Sequence, residues 1–220
     1  MSGGARETVP VAGRGARYVV VDKPAGLLSV PGRGPGKGVC VVSRVARMFP
    51  GASGPLVVHR LDMDTSGLMV LGLDAGAQRE LSMQFERRGV EKAYVALVEG
   101  WVGSAGDEGV IELPMRLDVE NRPVQIVDHE QGKPATTRWR VLAHESVDDV
   151  ECSRVEFVPI TGRSHQLRVH AAVGLGAPIL GDDLYGDASG ASRLMLHASV
   201  LGFDEPGEGG RVVFRSGAPF

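Results

Sequence analysis

The sequence predicts a protein that mixes β-strands with a few helices, and three features indicate this. Of its 220 residues, 43% are hydrophobic, which is enough for a buried core. Short runs of aliphatic and β-branched residues recur along the chain, each of a length suited to a buried strand. One later stretch carries apolar residues at every fourth position, as an amphipathic helix does. The length allows one large domain or two small ones.

The first elements are a leader, a strand and a helix. Residues 1–17 are rich in Gly, Ala and Arg without periodicity, which indicates a loose leader. Residues 18–21, Tyr-Val-Val-Val, are typical of a strand. Residues 39–49 have apolar side chains at helical spacing, although their β-branched content also fits a strand. The following Pro50 and Gly51 favour a helix that ends there.

A polar stretch at residues 59–67 lies between two apolar runs. Residues 56–58 precede it and residues 68–73 follow it, and both runs predict buried strands. The stretch holds a His, an Arg and two Asp, and it ends in Asp-Thr-Ser-Gly, which is typical of a turn. A charged loop held between core strands is a common place for function, although solvated charges on a surface hairpin would look the same.

Asp74 predicts the start of an amphipathic helix. Its short carboxylate suits an N-cap, and Ala77, Leu81 and Phe85 recur every four residues. Gly89 is expected to end the helix.

The rest of the chain predicts mainly strands. They are expected at residues 91–98, 137–143 and 153–159, with a turn and another strand within 101–116 and a hairpin region at 121–137. The acidic turn residues Asp148 and Asp149 separate the last two strands. Ser164 is expected to cap a helix that ends near Gly174.

Charge, cysteine content and hydropathy narrow the class of protein. The formal charge of −3 disfavours holding RNA by bulk positive charge, but it leaves room for a local basic cleft. Cys40 and Cys152 give neither a disulfide framework nor zinc spacing, which suits a cytoplasmic protein. No stretch approaches the ~20 apolar residues of a membrane span, and the first residues lack a signal-peptide pattern.

Five motifs together resemble those of the RluA-type pseudouridine synthases. The polar stretch reads His-Arg-Leu-Asp, then Thr-Ser-Gly and an aliphatic run, like the catalytic motif of that family. The other four matches are Lys-Pro-Ala-Gly-Leu from residue 23, Lys-Ala-Tyr-Val-Ala-Leu-Val from 92, Thr-Gly-Arg-Ser-His-Gln-Leu-Arg-Val-His from 161, and Arg-Leu-Met-Leu-His-Ala from 193. The resemblance runs from about residue 19 to 220.

This resemblance implies a fold and an activity. The implied fold is α+β: a single catalytic domain at residues 18–220, without an S4 domain, in which helices flank a long, mixed, mostly antiparallel sheet with a central cleft. The implied reaction isomerises uridine to pseudouridine in RNA, and it needs no cofactor because nothing is oxidised and no group is brought in. Within the family, the motifs most resemble the dual-specificity member whose name the family carries. That likeness implies two substrates, a tRNA anticodon stem-loop and a 23S rRNA hairpin.

The resemblance also assigns three catalytic residues. Asp62 corresponds to the catalytic nucleophile, which works only when charged. Burial under the substrate disfavours that charge, and Arg163 would offset this by pairing with the carboxylate. Tyr94 would stack on the flipped uracil and take the C5 proton. From the residues alone, Arg163 could equally bind phosphate, and Tyr94 could be a core residue.

A second set of residues is expected to contact RNA. Arg60 would enter the stack where the base leaves, a task that suits its planar guanidinium. The family resemblance also places Lys23 in the floor of the cleft, and Leu196 in the wall of the pocket unless it is plain core. The whole predicted RNA-binding set is Arg60, His59, Lys23, His165, Gln166, Arg168 and Leu196. The histidines are spaced too far apart for a zinc site, so no metal is expected.

Three alternatives stay open. The enzyme could modify a single RNA, or the chain could be an RNA-binding module that has lost catalysis. Asp62 and Asp64 could also form the carboxylate pair of a hydrolase, although two residues on one loop make a weak pair. Asp64 places a second negative charge near the nucleophile. A monomer is expected.

Overall fold

The structure is a computed structural model that describes residues 8–32, 34, 36–147, 149–207 and 209–220. Within these residues the regular elements are strands and short helices. The strands are β1 (Val11–Arg14), β2 (Tyr18–Lys23), β3 (Ser66–Gly72), β4 (Glu91–Glu99), β5 (Glu108–Glu112), β6 (Met115–Leu117), β7 (Gln125–Val127), β8 (Thr136–Val147), β9 (Val150–Pro159), β10 (Leu196–Asp204) and β11 (Arg211–Arg215). The α-helices are α1 (Val41–Met48), α2 (Ala75–Glu86) and α3 (Gln166–Val169).

The chain divides into two compact units. The first comprises residues 1–92 and 197–219, and the second comprises residues 93–196 and 220. In the first unit β1, β2 and β3 are antiparallel neighbours, β10 runs parallel to β3, and β11 is antiparallel to β10. In the second unit β4, β9, β8 and β5 form an antiparallel series, and β6 pairs with β7. The predicted α+β class with a mixed, mostly antiparallel sheet is confirmed.

Each unit has its own core. In the first unit β2 and β3 are almost entirely buried, and Leu81 of α2 packs against Leu68 and Val70 of β3. In the second unit α3 continues into a π-helical turn at His170–Gly174, and Leu167 joins the core with Phe157 of β9. Among the described residues, no helix combines the length and hydropathy that crossing a bilayer requires.

Several predicted elements are confirmed where the local pattern was strong. β2, β3, β4, β8 and β9 form where strands were predicted, and α1 ends at Met48 before Pro50. The α2 helix begins as expected, because an Asp74 carboxylate oxygen accepts a hydrogen bond from the Ala77 amide at 2.9 Å. Arg17 also pairs with Asp74 at 2.8 Å, which together with the backbone bonds holds the pKa of that carboxyl well below its ordinary value.

Other predictions were wrong, each for a physical reason. Residues 11–14 form β1 by pairing with β2, although their own pattern predicts no strand. Residues 56–58 do not form a strand, since Leu56 has a φ of 57° and only Val57 bridges to β3. His165, with a φ of 52°, takes the N-cap position predicted for Ser164. Asp148 lies outside the described residues.

The end of α2 also differs from its prediction. Arg88, not Gly89, adopts the left-handed conformation after the helix, with a φ of 59°. The Arg88 amide donates to the Phe85 carbonyl at 3.1 Å, and the Gly89 amide donates to the Gln84 carbonyl at 2.8 Å. These two bonds are those of a Schellman motif, whose left-handed position usually holds glycine.

Candidate active site

Asp62 lies in the first unit, in a loop that leads into β3. This loop, residues 56–65, is called the Asp62 segment below. Asp62 is half-buried, the preceding Leu61 is buried, and Thr65 at the end is buried. The segment carries two half-buried carboxylates, Asp62 and Asp64, between the buried Leu61 and the buried Thr65.

Buried side chains hold the main chain on both sides of Asp62. The Ser29 hydroxyl donates to the Leu61 carbonyl at 2.6 Å, and the Leu61 amide donates to the same hydroxyl oxygen at 3.0 Å. Lys23 is fully buried, and its Nζ donates to the Met63 carbonyl at 2.7 Å. The same ammonium donates to the Leu27 carbonyl at 2.7 Å. The residues before and after Asp62 are thus fixed independently of the Asp62 side chain.

A chain of polar side chains supports the end of the segment. The Ser66 hydroxyl lies 2.8 Å from Nδ1 of His197, and Nε2 of His197 lies 3.1 Å from the Ser216 hydroxyl. The Ser216 hydroxyl donates its only proton to the Asp22 carboxylate. Nε2 must therefore carry a proton and donate to Ser216, and in the neutral ring Nδ1 accepts from Ser66. We call these four residues the Ser66 relay.

Gly67 explains why the predicted turn needs glycine. Its φ is 114°, and a Cβ built there would lie 2.4 Å from the Ala198 carbonyl oxygen of β10. Glycine is therefore needed at this position because β3 approaches β10 too closely there for a side chain.

His59 and Arg60 are placed differently. Nε2 of His59 accepts the Val70 amide at 3.2 Å, and its ring stacks on Phe85 with centroids 4.3 Å apart. Burial, and next the positive charge of Lys92, lower the pKa of His59 to about 3, so the ring is neutral at physiological pH. Arg60 is exposed, and it forms no hydrogen bond or ion pair within the described residues.

Tyr94 and Leu196 lie in the second unit. Tyr94 stands opposite Phe157 in the pairing of β4 with β9, and it is half-buried against the core cluster. Leu196 belongs to that same cluster and is 3% exposed. The structure therefore brings Tyr94 and Leu196 to one cluster, where Leu196 is a core residue.

Arg163 lies on a turn that Gln166 organises. Arg163 is exposed, and its Nε donates to the Pro134 carbonyl at 3.2 Å. Oε1 of Gln166 accepts the Arg163 amide at 2.9 Å and the Thr161 hydroxyl at 2.7 Å. Nε2 of Gln166 donates to the Thr136 carbonyl and to the Thr137 hydroxyl. All four bonds of this buried amide are thus made to protein. Residues 161–168 are called the Arg163 segment.

The other two predicted RNA contacts of this segment also have protein partners. Arg168 is 4% exposed, and its guanidinium donates two hydrogen bonds of 2.8 and 2.6 Å to the buried Asp182 carboxylate. Tyr185 lies under the Arg168 guanidinium, 5.2 Å from ring centroid to Cζ, and its hydroxyl is 2.8 Å from Nδ1 of His165. The Arg163 segment is therefore tied to the loop that carries Asp182 and Tyr185.

Sequence reasoning missed the supporting residues. His197 lies in the motif that begins at residue 193, but nothing in the sequence shows what its ring contacts. Ser29 and Ser216 gave no signal, because a lone Ser next to an apolar run is common on any surface. Nothing in the sequence near Asp182 and Tyr185 shows that they contact Arg168 and His165. Among the described residues, no group of three or more His, Cys, Asp or Glu could hold a metal ion.

Comparison with known proteins identifies the family. The model of the RNA pseudouridylate synthase family matches residues 17–173. Over 205 residues the chain is 47% identical to the dual-specificity RNA pseudouridine synthase RluA of Yersinia pestis, covering 92% of this chain and 95% of that protein. The RluA of Escherichia coli K12 is 46% identical over the same length, which covers 92% of this chain and 90% of the relative.

A solved structure agrees with the sequence relatives. The structure of human RNA pseudouridylate synthase domain containing 1 superposes with a TM-score of 0.81 at 30% identity, covering 100% of this chain and 87% of that one. The chain belongs to the RNA pseudouridylate synthase family, and its activity is that of an RNA pseudouridine synthase.

Proposed function

We propose that Asp62 is the nucleophile of this synthase. The reaction breaks the bond between C1′ and N1 of uridine, turns the base, and rejoins C1′ to C5; the C5 proton leaves and N1 gains one, so substrate and product are isomers. The observation that carries the proposal is the double anchoring of Leu61 and Met63, which fixes the main chain around one carboxylate. A fixed nucleophile lowers the entropic part of the barrier.

The test is Asp62→Asn, with Asp64→Asn as the matched control on the same loop. Asp62→Asn should abolish pseudouridine formation while RNA affinity stays within about tenfold, because the carboxylate does covalent chemistry and repels phosphate. Asp64→Asn should keep most turnover. Near wild-type tritium release from [5-³H]uridine RNA by Asp62→Asn would remove the assignment, and loss in both variants would favour the carboxylate pair.

Tyr94 is assigned the stacking of the flipped uracil and the removal of the C5 proton. Stacking contributes about 1–3 kcal/mol per base, which is similar to the cost of flipping. Tyr94→Phe keeps the ring, so it should bind RNA normally and lose turnover. If Tyr94→Phe turns over at the wild-type rate, the hydroxyl takes no part.

The proposed role of Arg163 is to stabilise the negative charge on the Asp62 carboxylate. Its exposed guanidinium is engaged only by a carbonyl among the contacts described above, which leaves donors for a carboxylate. Arg163→Lys keeps the charge but loses the planar fork, so turnover should fall more than RNA affinity. A fall in affinity alone would indicate phosphate binding instead.

The proposed role of Arg60 is to fill the gap in the RNA stack that the flipped base leaves. Its side chain is exposed and beside the nucleophile in sequence. Arg60→Ala should reduce turnover on a structured hairpin more than on a short unstacked oligonucleotide, because only the hairpin has a stack to break. Equal losses on both RNAs would point to a role in positioning Asp62.

Lys23, Gln166 and Arg168 are proposed to position the two segments, in place of the RNA contacts expected from sequence. Each is buried, and the bonds described above direct its polar atoms to protein groups. Stacked His59 and core Leu196 are given the same supporting role. His165 keeps its predicted RNA contact, because it is only half-buried. The variants Lys23→Met and Gln166→Met separate positioning from RNA contact, because loss of positioning lowers turnover and loss of an RNA contact lowers RNA affinity.

For the substrate we propose dual specificity, since the relatives at 46–47% identity are named as dual-specificity enzymes. The purified protein should modify both an isolated tRNA anticodon stem-loop and a 23S rRNA hairpin at matched salt. Two RNAs can share one site when their loops adopt one shape on binding. Modification of only one hairpin at a useful rate would leave the single-target alternative.

Two further properties are proposed. The protein acts as a monomer, because each unit has its own buried core; light scattering that gives twice the chain mass would contradict this. It acts in the cytoplasm, since its RNA substrates are there and both cysteines are free thiols. Cell fractionation that places the chain elsewhere would overturn this.

A further inference from the structure

Two cations in the first unit lack an anionic partner among the described residues. Arg88 follows α2, Lys92 is the second residue of β4, and neither forms an ion pair there. Burial, and next the charge of Arg88, lower the pKa of Lys92. The two charges are thus close enough to repel each other. By contrast, half-buried Arg17 of the same unit pairs with Asp74 at 2.8 Å.

The conformation of Arg88 adds a second observation. It occupies the left-handed position of the Schellman motif, although Gly89 is adjacent and would fit there without strain. A non-glycine residue in this conformation costs about 1–3 kcal/mol, and such residues cluster at active sites and ligand-binding sites. The helix thus ends with a cation at a strained position, and the charge of that cation acts on Lys92.

The pair lies beside the Asp62 segment. Nζ of Lys92 is 5.9 Å from the centroid of the Phe85 ring, and Phe85 stacks on His59 of that segment. Lys92 and Tyr94 are two residues apart in β4, so their side chains leave the same face of the strand. Lys92 therefore lies close to the Asp62 segment, which carries the proposed nucleophile.

We propose that Arg88 and Lys92 bind one backbone phosphate of the RNA. A phosphate supplies the anion that the described residues lack, and it accepts hydrogen bonds from both an ammonium and a guanidinium. This inference rests on the proposed function, since it takes the bound anion to be part of the substrate. The contact is independent of sequence and fixes the register of the RNA over the Asp62 segment.

The test measures the salt dependence of RNA binding. The dissociation constant of a short hairpin with a uridine in its loop is measured by fluorescence anisotropy between 50 and 200 mM salt, about the range in which phosphate contacts dominate. Arg88→Gln and Lys92→Gln should each lower the slope of log K against log salt by about 0.7–0.9. The matched control is Arg79→Gln, an exposed cation of α2 outside the pair, which should leave the slope unchanged.

A pH series gives a readout that a structural role would not change. Lys92 interacts electrostatically with the Arg88 guanidinium and with the His59 ring, which is neutral at neutral pH. The adjacent Glu91 carboxylate lies 3.7 Å from the Arg211 guanidinium. Because the pKa of Lys92 is lowered, RNA affinity should fall as the pH rises through that pKa, which lies below the range of ordinary lysines. Lys92→Arg should keep the affinity and the slope and should remove this fall, since arginine stays charged.

The outcomes separate this inference from the proposed function. Slopes of Arg88→Gln and Lys92→Gln equal to that of Arg79→Gln overturn the phosphate site, even when the wild-type protein forms pseudouridine. Loss of turnover in Asp62→Asn with unchanged salt slopes leaves the proposed function standing without this site. Reduced slopes in a protein whose Asp62→Asn variant remains active support the phosphate site and contradict the catalytic assignment.

Discussion

In the Asp62 segment the groups that hold the main chain come from distant parts of the sequence, whereas in the Arg163 segment the main holder is three residues away. Ser29 and Lys23 hold Leu61 and Met63 from 32 and 40 residues earlier. Gln166 holds Arg163 from within the same turn. The Arg163 amide is therefore held from within its own turn, while the main chain around Asp62 depends on residues of the completed unit.

The largest loss of stability and turnover is expected when a side chain that holds the Asp62 segment from a distant part of the sequence is removed. Lys23→Met leaves the carbonyls of Leu27 and Met63 without their donor. We expect the free energy of unfolding to fall by about 2 kcal/mol, because unpaired buried groups cost about 1–3 kcal/mol each and the lost burial of the ammonium offsets part. Turnover should fall about tenfold, a barrier change of about 1.4 kcal/mol, with unchanged RNA affinity. Urea unfolding and single-turnover kinetics measure both.

Exposed Lys37→Met is the control for that variant, with no expected change. If Lys23→Met instead weakens RNA binding and keeps its stability, Lys23 contacts RNA as the sequence suggested.

Removing Gln166, which holds Arg163 from within the same turn, should have a smaller effect on stability and turnover. Gln166→Met removes four hydrogen bonds, but the backbone of the Arg163 segment is also tied through Arg168 and His165. We expect a loss of about 1–2 kcal/mol in the free energy of unfolding and a smaller fall in turnover than for Lys23→Met. RNA affinity should match that of exposed Gln131→Met. An affinity loss without a turnover loss would restore the RNA contact predicted for Gln166.

The smallest effect concerns acid. The pKa of His59 is about 3 in the folded protein, whereas an ordinary histidine titrates near 6.5. Between these two pKa values the His59 ring is protonated in the unfolded chain and neutral in the folded chain. The free energy of unfolding therefore falls as the pH drops from about 6.5 toward 3. Between about pH 6.5 and 5.5, wild type should lose about 1 kcal/mol more unfolding free energy than His59→Gln.

Exposed His129→Gln serves as the control, and it should lose stability as the wild type does. Identical losses in wild type and His59→Gln would show that the His59 ring is not held neutral in the Asp62 segment.

The elements that sequence predicted well are those whose cause is local. The α2 helix needs only the Asp74 carboxylate and an apolar repeat, and both are visible in the sequence. The β1 strand exists because β2 is its neighbour, and residues 11–14 contain no sign of that pairing. Leu56 breaks a run that looks like a strand because the Asp62 segment must turn there.

The same reasoning separates the site residues. Asp62, Tyr94 and Arg163 could be named because they lie in motifs that resemble a family. Their supports could not, since Ser29 and Lys23 hold carbonyls far along the chain. Arg88 illustrates another reason for a wrong prediction. The preference of glycine for the left-handed conformation predicts the helix end at Gly89, one residue too late, because Arg88 adopts that conformation despite the strain.

The Ser66 relay has a consequence for the time course of folding. It joins Ser66 to His197 across 131 residues and Ser216 to Asp22 across 194. Contacts of such sequence separation close late, because ordering the intervening chain is entropically costly. The chain leaves the first unit at Lys92 and re-enters it at His197, so the support of the Asp62 segment is assembled after most strands have paired. Recovery of catalysis during refolding should therefore lag behind the recovery of secondary structure.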